Sequence, residues 1–161
     1  MYVPFESLPE TARVWIYQSN RSFSAEELLE IETKLRAFVE EWTAHGIGLE
    51  ASYQIRYNRF IVLALNQEVQ AATGCSIDAS VHFIQSLEQH YGVDLLDKMN
   101  VSYKQGEFVA YKTLLEFKKM AKEKAVSKNT VVFNNLVINK YEYENAWEVP
   151  ASESWHNRFV S

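Results

Sequence analysis

Cysteine, glycine and proline are all scarce in this sequence. Its 161 residues include one cysteine, five glycines and three prolines. A single cysteine cannot form a disulfide within the chain, which excludes a secreted scaffold stabilised by disulfides. The prolines are Pro4, Pro9 and Pro150, so residues 10–149 contain none. So little glycine and proline argues against a linker-rich or disordered chain, and we expect one ordered domain over residues 1–161.

Long apolar segments are also missing. The longest apolar run is Phe60–Leu65, far shorter than the ~20 residues that cross a bilayer. The opening segment, MYVPFESLPE, has neither the basic stretch nor the apolar stretch of a signal peptide. We therefore expect no association with a membrane and a cytoplasmic location.

Basic residues are outnumbered by acidic ones, 16 to 21, which gives a formal net charge of −5. This balance disfavours nucleic acid as a partner, because phosphates attract lysine and arginine. The charge is also uneven: residues 1–50 hold nine acidic and four basic side chains, whereas residues 111–128 hold six lysines and two glutamates. The asymmetry indicates either two solvated helix faces of opposite sign or a surface that attracts an anionic partner.

The clearest element in the sequence is a helix that begins after Ser24. Ser24 and Glu27 have the spacing of a capping box, in which each side chain binds the backbone amide of the other residue. Apolar side chains follow at intervals of three and four residues, and Gly46 stands where a glycine often ends a helix. The apolar stripe consists of Leu28, Ile31, Leu35, Phe38 and Trp42.

The segments around this helix predict the order strand, helix, strand, strand, helix. One strand alternates in polarity, whereas the strand FIVLAL is apolar throughout and is expected to be buried on both faces. The order is that of a ferredoxin-like split βαβ unit. The predicted elements are strands at 13–18, 50–57 and 60–65, a turn at Asn58-Arg59, and a second helix from about Ile77 to Tyr91 that ends at Gly92.

The pattern is weaker in the last third of the sequence. It predicts a hairpin that turns at Gln105-Gly106, a lysine-rich third helix and a last strand over Thr130–Ile138. The tail has no clear period, and its aromatic residues suggest an extended segment that packs against the domain. We therefore predict a single α+β domain with a ferredoxin-like N-terminal half, an extra hairpin, a third helix and an extended aromatic tail.

The only cysteine lies near the predicted start of the second helix, in the segment Thr73–Asp78. Unpaired amides and the helix dipole at that position favour a negative charge, and so favour a thiolate on Cys75. Gly74 permits the close approach of a ligand, and Ser76 can cap the helix. The alternative is that Cys75 is a small side chain that only packs.

A cysteine nucleophile needs a base. His82 lies two turns after Cys75 in the predicted helix, ~10 Å away along its axis, which is too far for a direct hydrogen bond. It is also four residues after Asp78, so these two side chains could hydrogen-bond to each other. His156 can reach Cys75 only through tertiary folding, and Asp78 is an anion that would oppose a nearby thiolate. The candidate catalytic residues are therefore Cys75, Ser76, Asp78, His82 and His156.

Metal-binding and nucleotide-binding motifs are absent from the sequence. His82 and His90 are eight residues apart, whereas two ligands on one helix face are four apart, and there is no second cysteine. None of the five glycines is followed by lysine, so the P-loop that cradles phosphates is missing. We expect neither a metal nor a cofactor.

Three segments resemble an uncharacterised family of small bacterial proteins. They are Gly74–Asp78 (GCSID), Val132–Val137 (VFNNLV) and Ser154–His156 (SWH). Members of this family are sometimes labelled as ABC transporter ATPases, and the resemblance extends over nearly the whole chain. It implies no established active site. Since ABC-type ATP hydrolysis requires a P-loop, we infer neither an ATPase activity nor a transport role.

Two hypotheses for the function follow. The first is a non-enzymatic binding or interaction module that self-associates through aromatic sheet or helix surfaces, which predicts an exposed apolar patch of more than a few hundred Å² at a symmetric contact. The second is a small cysteine-dependent enzyme or thiol sensor built around Cys75, which predicts an accessible Cys75 in a pocket with a histidine nearby. A small-molecule ligand is left unspecified by the sequence under either hypothesis.

Overall fold

Helices and antiparallel sheets alternate along the computed structural model, which describes residues 1–160 and confirms the predicted single-domain α+β class. Short 3-10 helices occupy Phe5–Ser7 and Ala151–Glu153. In chain order the other elements are β1 (Arg13–Gln18), α1 (Ala25–Glu41), β2 (Thr43–Ala44), β3 (Ile47–Gly48), β4 (Ala51–Arg56), β5 (Phe60–Leu65), α2 (Gly74–Tyr91), β6 (Val101–Gln105), β7 (Phe108–Lys112), α3 (Leu114–Lys122), β8 (Val131–Phe133), α4 (Lys140–Ala146), β9 (Glu148–Pro150) and α5 (Asn157–Val160).

The strand β5 forms the centre of a three-stranded antiparallel sheet with the order β1-β5-β4. All of its side chains are buried, which confirms the prediction for FIVLAL. Alternate side chains of a strand point to opposite faces, so a strand that is covered on both faces is apolar throughout. On one face of β5, the side chains of Ile61, Leu63 and Leu65 pack with α1 and α2. On the other face, the side chains of Phe60, Val62 and Ala64 pack with α4 and the N-terminal segment.

The ferredoxin-like arrangement is not confirmed. Such a fold adds a further strand to the same sheet after its second helix. Here the strand that follows α2 is β6, which belongs to a different sheet. The outer edge of β1 is met instead by an isolated bridge between Arg13 and Asn139.

The second sheet has the strand order β7-β6-β8-β9 and packs against α3 and α5. Its first two strands form the predicted hairpin, and Gly106 adopts a left-handed conformation in the turn, with φ of +65°. Glycine tolerates this conformation because it has no side chain. The helix α3 matches the predicted lysine-rich helix, and Thr113 and Glu116 form a capping box at its start.

Two predicted boundaries in the first half are wrong. The helix α1 does not extend to Gly46, because the chain continues into a hairpin of β2 and β3, in whose turn His45 and Gly46 have φ angles of 52° and 75°. Two-residue hairpin turns favour such positive φ angles. The turn between β4 and β5 is centred on Tyr57 and Asn58, both left-handed, one residue before the predicted Asn58-Arg59.

The last predicted strand and the extended tail are also wrong. The strand β8 covers only the beginning of Thr130–Ile138, and the tail contains α4, β9 and α5. Asn139 starts α4, since its side-chain oxygen accepts a hydrogen bond from the Glu142 amide at 2.8 Å. The tail aromatic Trp147 is nevertheless buried against the first sheet.

A buried polar cluster joins the three-stranded sheet to the four-stranded sheet. The Oε1 atom of Gln18, in β1, accepts hydrogen bonds from Ser102 Oγ at 2.6 Å and from Asn135 Nδ2 at 2.9 Å. Asn135 Oδ1 accepts a further bond from Trp147 Nε1 at 2.8 Å. All four residues are buried, so these bonds replace the water that the polar groups lose on folding.

Candidate functional site

Cys75 is the second residue of α2, which begins at Gly74 rather than near Ile77. The helix is capped by Thr73, whose hydroxyl accepts from the Ser76 amide at 3.1 Å, while Ser76 Oγ accepts from the Thr73 amide at 2.7 Å. This reciprocal pair leaves the amides of Gly74 and Cys75 without an intrahelical partner. The Cys75 side chain is exposed.

Cys75 lines a cleft of about 490 Å³ between the start of α2, the end of α1 and the β2–β3 hairpin. Trp42 closes one side and donates its indole N–H to the carbonyl oxygen of Ser76 at 2.8 Å. His45, in the hairpin turn, lines the same cleft. The cleft therefore contains both Cys75 and a histidine that is not among the candidate catalytic residues predicted from the sequence.

Three of the predicted partners of Cys75 do not offer a side chain to this cleft. Ser76 borders it but is buried, and its hydroxyl is used in the capping box. Ser76 takes part in capping, as predicted, but as the third helical residue of the box, and Thr73 is the N-cap residue. Asp78 and His82 lie on the exposed surface of α2 and are not among the residues that line the cleft.

His156 lies in the core between the second sheet and α3, and the structure does not bring it to Cys75. Its Nδ1 atom is 2.6 Å from Ser154 Oγ, and its ring stacks on Trp155 with a centroid distance of 3.9 Å. Burial lowers the pKa of His156 to about 4. A histidine in this setting is neutral and inaccessible at neutral pH.

A second surface, which we call the basic groove, runs between α3 and α5. It has a volume of about 410 Å³. Four cationic side chains surround an apolar floor, and only one of the four has a carboxylate within ion-pairing distance in the described part of the chain: Lys119, with Glu123 at 4.0 Å. The groove is lined by Leu115, Lys118, Lys119, Lys122, Arg158 and Phe159.

The floor of the basic groove is organised by cation–π contacts. The Lys118 Nζ atom lies 5.2 Å from the centre of the Phe159 ring, and the Arg158 guanidinium carbon lies 5.8 Å from it. Leu115 is 77% exposed at the edge of the groove. Exposed apolar side chains enclosed by charge are typical of surfaces that bind a partner.

The opposite charge gathers on the outer surface of α1, which we call the acidic face. Its members recur at helical spacing and are all exposed to solvent. Leu29, at its centre, is 70% exposed. The acidic face consists of Glu26, Leu29, Glu30, Thr33, Ala37 and Glu40, and the exposed Glu32 and Arg36 lie beside it.

The sequence reveals these two surfaces unequally. The acidic and basic segments are visible as runs of charge, but Arg158 and Phe159 complete the groove from a tail without periodicity. The approach of His45 to Cys75 depends on how the hairpin packs against α2, and no local pattern reports such a contact. No motif in the sequence around His45 marks it as a functional residue.

Comparison of the chain with protein-family models, with curated proteins and with solved structures produced no match. Within residues 1–160 there is no group of three or more histidine, cysteine, aspartate or glutamate side chains that could hold a metal ion. Nor is any helix in that range both long and apolar enough to cross a bilayer.

Proposed function

We propose that this chain is a non-enzymatic interaction module, not an ATPase, and that it associates head to tail with further copies of itself. In the proposed contact the acidic face of one copy lies in the basic groove of the next. The observation that carries the proposal is the complementary charge of these two exposed surfaces.

Each surface also offers an apolar side chain for the contact to bury. Leu29 stands among the glutamates of the acidic face, and Leu115 stands beside the lysines of the basic groove. Burial of a leucine side chain contributes about 2 kcal/mol. Apolar contact at the centre with charge around it is the usual composition of a protein–protein interface.

The two surfaces belong to different parts of the fold, so the proposed contact is heterologous. The acidic face lies on α1, which packs against the first sheet, and the basic groove lies beside the second sheet. A contact between unlike surfaces leaves one groove and one acidic face free at the ends of every assembly. Copies can therefore add in succession and give rings or filaments rather than only dimers.

Sedimentation velocity at several salt concentrations tests this proposal. We expect the wild-type chain to form oligomers at low ionic strength and to dissociate as salt screens the charges. The variant K118E/K122E reverses the charge at the groove, and we expect it to weaken association at least about tenfold because like charges then face each other.

The matched control is the variant K124E/K128E. Lys124 and Lys128 are exposed and lie outside the groove, so the change in net charge is the same but the contact is spared. We expect it to associate more strongly than K118E/K122E. A wild-type chain that is monomeric at all salt concentrations, or two variants that behave alike, contradicts the proposal.

A second candidate function is supported by the cleft at the start of α2. Cys75 is exposed there, His45 lines the same cleft, and two helix amides beside the thiol lack an intrahelical partner. This arrangement favours a thiol enzyme or a thiol sensor in which His45 takes the place predicted for His82 or His156.

Alkylation of the native protein with iodoacetamide tests this second function. If His45 activates Cys75, the native chain reacts faster than the unfolded chain at the same pH, and His45→Gln removes the difference. His90→Gln is the control, since His90 is exposed on α2 and does not line the cleft. Equal rates in the native and unfolded chains would mean that Cys75 is only a surface residue.

A further inference from the structure

A small polar pocket of about 320 Å³ lies where β4 meets α4 and β9, away from both surfaces described above. It is lined by side chains from distant parts of the sequence, including Gln54 and Arg56 of β4 and Tyr143 of α4. A volume of this size accommodates about ten non-hydrogen atoms if each takes the share of a water molecule.

Arg56 is fixed in this pocket by its aromatic neighbours. Its guanidinium carbon lies 5.3 Å from the centre of the Trp147 ring and 5.6 Å from the centre of the Tyr57 ring. One of its N–H groups donates to Tyr143 Oη at 3.2 Å, and Tyr143 donates in turn to Gln54 Oε1 at 2.7 Å. These contacts with the two rings fix the orientation of the guanidinium plane. A guanidinium with a fixed orientation favours bidentate binding of a carboxylate.

Most of the hydrogen-bonding capacity of Arg56 is unused. A guanidinium has five N–H donors, and in the described chain Tyr143 Oη is the one hydrogen-bond acceptor for the Arg56 side chain. None of the ion pairs among residues 1–160 involves Arg56. The Gln54 amide nitrogen, in the same pocket, likewise donates to no protein acceptor in that range. The pocket therefore presents several donors to whatever enters it.

The acidic residues at the pocket differ in whether they are already neutralised. Glu148 forms an ion pair with Lys104 at 2.9 Å and accepts a hydrogen bond from Tyr57. Glu144 is exposed, and no ion pair of the described residues includes it. Arg56 and Glu144 thus line the same pocket without forming an ion pair with each other, and Glu148 is a second carboxylate in its lining.

We propose that this pocket binds a free α-amino acid. Arg56 and the Gln54 amide bind its carboxylate, and Glu144 binds its ammonium group. Trp147 and Phe5 also line the pocket but are themselves buried, so the ligand is held by its two charged groups. A ligand with both charges fits better than a simple anion, because an anion would leave Glu144 uncompensated next to it.

Titration with the individual standard amino acids, followed by NMR, tests the proposal. The signals to observe are the Arg56 Nε–H and the Gln54 side-chain amide, since both residues line the pocket. We expect at least one amino acid to shift them in a saturable way at millimolar concentration. Propionate and ethylamine each carry one of the two charged groups of alanine, and we expect both to bind more weakly than alanine.

Substitutions at Arg56 and Glu144 test which residue binds each charged group of the ligand. Arg56→Gln removes the charge that faces the carboxylate, and we expect it to weaken amino-acid binding at least about tenfold. Arg56→Lys keeps the charge without the planar donors, and we expect a smaller loss. We expect Glu144→Gln to weaken amino-acid binding but to strengthen propionate binding, because it removes a negative charge next to the bound carboxylate. The exposed control Glu107→Gln should change neither.

The near-UV circular dichroism of each variant shows whether the tryptophan environment, and so the fold, is intact. If no amino acid shifts the pocket signals, or if a folded Arg56→Gln binds as well as the wild type, the proposal is wrong. The outcome is independent of self-association, because K118E/K122E alters the basic groove and leaves this pocket untouched.

Discussion

The two larger sheets of this protein differ in the polar groups that are buried beside them. Around the first sheet the buried side chains are mostly apolar, and the polar ones include uncharged hydroxyls such as those of Ser52 and Ser80. Around the second sheet the buried polar groups include a histidine: Ser102 hydrogen-bonds to Gln18 of the first sheet, and His156 lies beneath α3. The Nε2 atom of His156 and the Nε1 atom of Trp155 are buried there without a hydrogen-bond partner in residues 1–160.

This difference predicts which changes should destabilise the first region, which is the first sheet with α1 and α2, and which should destabilise the second region, which is the second sheet with α3 and α5. Apolar burial involves no proton binding, so the stability of the first region should depend mainly on packing and little on pH. Where polar groups are buried, the free energy of unfolding falls when a hydrogen-bond partner is removed or when a buried neutral group must bind a proton. The second region carries most of the basic groove, so the surface that we assign to self-association rests on the more sensitive half of the molecule.

The largest effect is expected from a cavity in the first region. Leu63 lies in the middle of β5 and is fully buried. We expect Leu63→Ala to lower the free energy of unfolding by about 4 kcal/mol, since it removes apolar contacts and leaves a void. Urea denaturation at pH 7 and pH 5 measures this loss. A loss that differs between the two pH values would contradict the description of this core as apolar.

Acid should destabilise the second region through His156. The folded state keeps His156 neutral, with a pKa of about 4, whereas the unfolded chain binds a proton below its ordinary pKa of about 6.5. Its contribution to stability is therefore complete above pH 6.5 and is lost as the pH falls towards 4, by about 3 kcal/mol in all.

Unfolding experiments from pH 7 to pH 4 check this value. We expect His156→Gln to remove most of the acid dependence, because glutamine does not titrate. His82→Gln is the matched control, as His82 is exposed on α2. Equal acid dependence in the two variants would mean that His156 does not distinguish the second region.

The junction between the regions should respond to the loss of one amide. Asn135→Ala removes the acceptor of the Trp147 indole N–H and a donor to Gln18, all in a buried setting. We expect a loss of about 2 kcal/mol in the free energy of unfolding, because buried polar groups are left unpaired. The exposed Asn129→Ala provides the baseline, and a loss no larger than that of this control would argue against the polar junction.

The smallest effect is expected at the start of α2, in the first region. Thr73→Ala removes the hydroxyl that accepts from the Ser76 amide, and we expect a loss of about 1 kcal/mol. Thr73→Ser keeps the hydroxyl and should restore most of the stability. Thermal unfolding of the two variants measures the difference, and identical midpoints would show that the cap contributes nothing.

Local signals in the sequence were sufficient for much of the first region. The capping box of Ser24 and Glu27 forms as predicted, since both partners lie within one turn of helix. The strand β5 was recognisable because a sheet covered on both faces requires apolar side chains on both. The α+β class follows from these elements.

The parts of the fold and of the candidate sites that the sequence did not predict depend on contacts between residues far apart in the chain. The helix α4 has only seven residues, too few to show a period, although Asn139 and Glu142 carry a local capping signal. The pairing of Arg56 with Trp147 and the approach of His45 to Cys75 arise from packing between separate elements. Hydrophobic periodicity describes how one element is buried, not which elements meet.

The most direct test of head-to-tail association is to mix two charge-reversed variants. K118E/K122E retains an intact acidic face, and E26K/E30K retains an intact basic groove. We expect sedimentation velocity at low salt to show little association of either variant alone. The one-to-one mixture should associate, because an intact face then meets an intact groove. A mixture that remains monomeric where the wild type associates would contradict the assigned contact.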